Sequence, residues 1–225
     1  KNGCKFTGFF NMLLAYTLDE LHRKYNYVSR VYKSDGSLDE TYEENSNLFV
    51  YYTAITLRQF KTNTTESFQM NFIDMGYYAN GLLNDLVLPR FFSNIDELRR
   101  DFWRNARQDS IQLHQRLENK EQFFQCRINK CNENQIISTL SFSNLGNYPT
   151  KFTASGEIKF IKGFTEVRFD SLVENLGLFY FYTSCVNDQL CFSVASNSLF
   201  IQNEFVEEYL VHFFRLFDDI LSEGL

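Results

Sequence analysis

The sequence predicts a mixed α/β fold, with helices covering one face of a sheet. Three stretches carry apolar residues at helical spacing, and the runs between them are rich in β-branched and aromatic residues. The chain is also poor in turn formers, with 10 Gly and 2 Pro among 225 residues against 25 Phe and 13 Tyr. That balance suits long, well-packed elements in one domain spanning 1–225, a length able to bury a substantial core.

In order, the spacing of Phe10, Leu13, Leu14, Leu18, Leu21 and Tyr25 predicts a first helix over 6–25, with Thr7 as N-cap and Asn26 as stop. The polar, acidic stretch 33–47 is a loop. "LFVYYTAITLRQF" (48–60) predicts a strand with Arg58 at its far end, and "SFQMNFI" (67–73) a second. Segment 75–89, with two glycines and a proline, is expected to wind. A second helix over 94–118 is capped by Ser93 or Asn94. Its stripe is Ile95, Leu98, Phe102, Ala106, Ser110, Leu113 and Leu117. Strands follow near 136–142, 152–161, 177–184 and 189–195, the last two joined by a hairpin turn at Asn187-Asp188. A third helix over 203–222, capped by Asn203, presents Val206, Tyr209, Leu210, Phe213, Phe217 and Ile220.

The net charge of −6, from 22 basic and 28 acidic residues, argues against nucleic acid as a partner. Arg99, Arg100, Arg104 and Arg107 alternate with Asp96, Glu97, Asp101 and Asp109, the pattern of a solvated helix face. No run approaches the ~18 apolar residues of a membrane span. Five cysteines (4, 126, 131, 185, 191) contain no CxxC, and the three histidines stand far apart, so no metal-ligand spacing is visible. Reduced thiols in a cytoplasmic protein are the default. Secretion stays open through a Cys126–Cys131 or Cys185–Cys191 disulfide and the sequon Asn63-Thr64-Thr65. The chain opens on Lys1 with no signal-peptide pattern, as expected of an excerpt of a longer protein or a processed one.

No catalytic motif is present. His22, His114 and His212 each suit an ordinary helix position, and no nucleophile elbow, P-loop, GxGxxG or EF-hand loop occurs. The stretch "STLSFSNLGNYPT" (138–150) is the sharpest local feature: an apolar strand running into Ser143, Asn144, Gly146, Asn147 and Pro149. It is either a plain turn or a strand end that presents small polar groups to a ligand.

Six short stretches, in order, carry a resemblance. They are "CKFTGFFNMLLAYTLDEL", "AITLRQF", "MGYYANGL", "FWRNARQDSIQLHQRL", "LSFSNLG" and "NDQLCFSVASNSLF" with the closing helix. Together they resemble the second half of the chloramphenicol-acetyltransferase-like superfamily, in its alcohol acetyltransferase and condensation-domain branch. The resemblance implies one lobe of a two-lobe fold with a tunnel between the lobes. It also implies an O- or N-acyltransferase that moves an acyl group from acyl-CoA or a carrier-bound thioester to an alcohol or amine, with no tightly bound cofactor. The family's base, the second histidine of H-H-x-x-x-D-G, belongs to the other lobe and is absent here. The missing N-terminal lobe, on the same parent chain or a separate one, and a small-molecule acyl donor and acceptor are therefore the implied partners. The D-F-G-W-G loop of the plant branch is missing as well. By the resemblance, Ser143, Asn144 and Gly146 line the tunnel, and Arg58 anchors its strand. The alternative is a non-catalytic ligand-binding or protein-interaction module that kept the fold.

Overall fold

The computed structural model describes residues 3–25, 46–56, 79–89, 92, 94–121, 138–147, 177–186, 188–196, 198 and 201–222. Among them are three helices, α1 (Phe6–Lys24), α2 (Ile95–Glu118) and α3 (Asn203–Leu221). The strands are β1 (Ser46–Thr56), β2 (Ala79–Pro89), β3 (Ser138–Asn147), β4 (Gly177–Val186) and β5 (Gln189–Ser196). The expected strands at 67–73 and 152–161, residues 33–45 of the expected loop, Arg58, Asn26 and the pair Cys126 and Cys131 lie outside the described residues, whereas Ser46 and Asn47, expected in that loop, instead begin β1.

The strands form one mixed sheet in the order β2-β1-β3-β4-β5. β1, β3 and β4 run parallel at its centre, and β2 and β5 are antiparallel edges. Segment 79–89, expected to wind, is instead an edge strand. Gly81 and Pro89 are both absorbed by the β1 ladder, opposite Ala54 and Ser46, and an edge position is where a sheet accepts proline. The β4–β5 hairpin turns where expected, with Asp188 in the left-handed region (φ 59°) and Val186 opposite Gln189. Cys191 pairs with Ser184, and Cys185 with Leu190. The two thiols thus project from opposite faces of the hairpin, and both are free.

α1 is the centre of the core rather than an amphipathic cover. It is buried continuously from Phe10 to Asp19, because β1 and β3 lie under it and α2 and α3 flank it. Phe10 stacks on Phe142 of β3 at 4.9 Å, and Tyr209 of α3 stacks on Phe179 of β4 at 5.1 Å. The Tyr209 hydroxyl donates to the Leu14 carbonyl across the α1–α3 seam (2.8 Å). Arg99 of α2 donates twice to the Asp219 carbonyl (2.9 and 2.6 Å). That carbonyl lies in the last turn of α3, where a cation complements the helix dipole.

The helix termini differ slightly from expectation. Asn94 caps α2 by accepting from Glu97 N (2.9 Å), as its sequence position suggests. α1 starts after Lys5 rather than at Thr7, and α3 after Gln202 rather than Asn203; neither has a side-chain cap. The Lys5 amide instead donates to Ser110 Oγ of α2 (3.0 Å). No described helix is long and apolar enough to cross a membrane.

Gly8 sets the separation of α1 and α2. A Cβ there would sit 2.2 Å from Ser110 Oγ and 2.6 Å from the Ala106 carbonyl oxygen. Gly8→Ala is therefore expected to force the helices apart and cost about 1–3 kcal/mol. In a chain of this size that is a fall in Tm of roughly 2–12 °C. Adding Ser110→Ala should not restore the loss, because the backbone oxygen remains; recovery of the wild-type Tm in the double variant would contradict this account.

Candidate functional site

Two places in the fold gather polar side chains: the carboxyl edge of the parallel strands, and a cleft between α2 and the β1–β2 edge.

The first contains the motif singled out in the sequence. β3 does not stop at Phe142 but runs through Ser143 and Asn144 to Asn147, with a bulge between Asn144 and Asn147. Ser143 pairs with Ala54 on one side and Tyr182 on the other, and Asn144 pairs with Thr183. Gly146 is left-handed (φ +75°), a conformation that favours glycine. A Cβ there would meet nothing within 4 Å, so conformation and not space requires the glycine. Asn144 Oδ1 accepts from the Gly146 amide (2.9 Å), the local turn chemistry that suits asparagine, and Thr183 Oγ1 lies 3.5 Å from the same oxygen. Asn144 and Leu145 are exposed, and Ser143 is half-buried. In open α/β sheets, ligands bind outside the carboxyl ends of parallel strands, which is where these residues stand.

The second place was hidden in the sequence. Asp101 and Asp109 of α2 are buried and not part of a solvated face. Asp101 accepts from the Tyr16 hydroxyl (2.6 Å) and pairs with Arg104; Asn105 donates to both Tyr16 (2.8 Å) and Asp101 (3.3 Å). One helical turn beyond Asn105, Asp109 accepts from the Tyr51 hydroxyl of β1 and from Asn11 Nδ2 of α1 (3.1 Å). The same Asn11 nitrogen also reaches Thr53 Oγ1 of β1 (3.1 Å). One carboxylate thus joins α1, α2 and β1. Burial pushes the Asp109 pKa up; the hydrogen bonds from Tyr51 and Asn11, and the more distant Arg116, only partly oppose it. Burial also raises the Tyr51 pKa, helped by the Asp109 charge.

Beside Asp109 opens a cleft of about 210 Å³, walled by Met12, Tyr51 and Leu86. Asp85 and the amides of Gln108 and Gln112 also face it. Arg116 is held away by Asn84 and Glu121 (2.7 Å).

The histidines have ordinary surroundings. His22 stacks on Phe49 at 5.5 Å, and burial lowers its pKa. His114 is exposed and meets Glu118 at 3.2 Å. His212 lies between Glu20 (3.2 Å) and Glu208 (3.8 Å) in an ion network with Lys24 and Arg215. Among the described residues no cluster of His, Cys, Asp and Glu has metal-site geometry. Comparison with protein-family models, curated proteins and solved structures gives no match.

The sign of the Asp109 shift fixes a pH dependence. Its folded-state pKa lies above the ordinary 3.8, so the native state holds this proton more tightly than the unfolded chain. Its contribution is therefore fully present below about pH 4 and is lost as pH rises through the raised value. Asp109→Asn removes that dependence while keeping the shape. The Tm difference, wild type minus Asp109→Asn, should fall as pH rises from about 4 to about 7. A difference that grows over this range would contradict the assignment.

Proposed function

We propose that this chain is the C-terminal lobe of an O- or N-acyltransferase of the chloramphenicol-acetyltransferase-like kind. In this reading it supplies one wall of a substrate tunnel and leaves the general base to the other lobe. The carrying observation is the state of Asn144 at the carboxyl edge of β1, β3 and β4. Its oxygen is committed to the Gly146 amide, while its Nδ2 donor has no partner among the described residues. A donor fixed by its own bulge is preorganised for an acyl oxygen, the role in which such groups stabilise a developing oxyanion. Ser143 precedes Asn144 on the strand and projects from the opposite face of the sheet, and the left-handed Gly146 shapes the tip. The order of helices and strands and the six stretches of resemblance support the same reading. The co-substrate would be acyl-CoA or a carrier-bound thioester, the acceptor an alcohol or amine, and the partner the lobe carrying the histidine motif.

Residues 1–225 alone should then turn over acyl-CoA with alcohols or amines no faster than background, since a general base typically contributes about 10²–10⁴-fold and none is placed here. Turnover by this chain that is lost in His114→Ala or His212→Ala would contradict the proposal.

With the complementary lobe present, Asn144→Asp keeps the oxygen that caps the bulge and removes the donor. It should leave Tm within a few degrees and lower kcat/KM by about 10²–10³-fold. Unchanged kcat/KM would reduce the motif to a turn.

A further inference from the structure

We infer that the cleft between α2 and the β1–β2 edge binds the protonated amino group of a small aliphatic ligand, with Asp109 as counter-charge at its floor and Asp85 at its mouth. This rests on the cleft alone and holds whether or not the chain belongs to an acyltransferase.

The lining is selective in charge. Among the described residues its polar groups are two carboxylates, the amides of Asn105, Gln108 and Gln112, and the Tyr51 hydroxyl, with no Lys, Arg or His. Tyr51 donates into Asp109 and so offers only a lone pair to a ligand. Neither Asp85 nor Asp109 forms an ion pair among the described residues, and Arg116, the cation whose charge reaches Asp109, is engaged by Asn84 and Glu121. Carboxyl groups are thus the only ionisable acids or bases of ordinary pH range that line the cleft among the described residues, and a phosphate or carboxylate would find no counter-charge there. An ammonium group supplies three donors and the missing positive charge.

Size and polarity fit the same ligand. About 210 Å³ corresponds to roughly seven water-sized groups at ~30 Å³ each. Leu86, partly exposed, gives an alkyl chain apolar surface to cover. Asp109 is 5 % exposed, so an ion pair at the floor would be screened less than one at the surface.

Binding would also be linked to protons. The groups facing Asp109 are Tyr51 from β1, Asn11 from α1 and Arg116 on α2 itself, while Asp85 from β2 shares the cleft and acts on Tyr51. Burial favours the neutral acid in the empty cleft, whereas an ammonium requires the carboxylate. Affinity therefore rises with pH while the amine stays protonated.

The test is a titration of the whole chain with n-butylammonium chloride, followed by the side-chain amide signals of Gln108 and Gln112 in ¹H–¹⁵N spectra. n-Butanol and sodium butyrate at equal ionic strength are the controls. The expected result is saturable shifts with a Kd on the order of 1–10 mM, fitting for so few atoms. Affinity should be tighter at about pH 7.5 than at about pH 5. Asp109→Asn should weaken it at least tenfold, and the exposed Asp85→Asn a few-fold. Equal shifts with butyrate or butanol, no saturable shift, or wild-type affinity in Asp85→Asn would each overturn the inference. The last two readouts decide it even if Asp109→Asn fails to fold.

Discussion

The fold depends on burying α1 on every side. Between Phe10 and Asp19 that helix is buried throughout, so polar groups there need partners inside. Asn11 is one such case, at 2 % exposure. Its amide reaches Thr53 on the sheet and Asp109 on α2, and Tyr51 completes the carboxylate's shell. These contacts do more than satisfy polar atoms. They fix the register of α1 on β1 and the height of α2 above both, while the apolar contacts around them are far less directional.

From that joint the two candidate sites follow. β1 is held at Tyr51 and Thr53, one residue before Ala54 pairs with Ser143, so the SNLG end of β3 is presented by a strand that cannot slide. On the other side, lifting α2 over the β1–β2 edge leaves the cleft beside Asp109. Burial that raises the Asp109 pKa also makes the carboxylate costly to leave unpaired, which is why a cation is the ligand the cleft suits.

Much of the architecture was legible because it rests on periodicity. The three helices, the β4–β5 turn and the cap at Asn94 come from local patterns that the tertiary structure reinforces. The second strand was not, since Gly81 and Pro89 signal a turn unless an edge position is already known. The buried carboxylates were masked by the arginines around them. Asp101, Asn105 and Asp109 form a row at one-turn spacing directly beside Phe102 and Ala106, and that adjacency was the available signal. The placement of Asn144 was legible as a polar strand end. Its split between a committed oxygen and an unengaged amide depends on the bulge, which sequence alone does not specify.

Asp109 and Tyr51 act as one unit joining helix to sheet. A double-mutant cycle on Tyr51→Phe and Asp109→Asn, measured by urea unfolding at neutral pH, tests it most directly. Contacting groups in one network should show a coupling of about 0.5–3 kcal/mol, with the double variant losing less than the sum of the singles. Losses that add to within about 0.5 kcal/mol would mean that the two side chains stabilise the fold independently and that the joint described here does not exist.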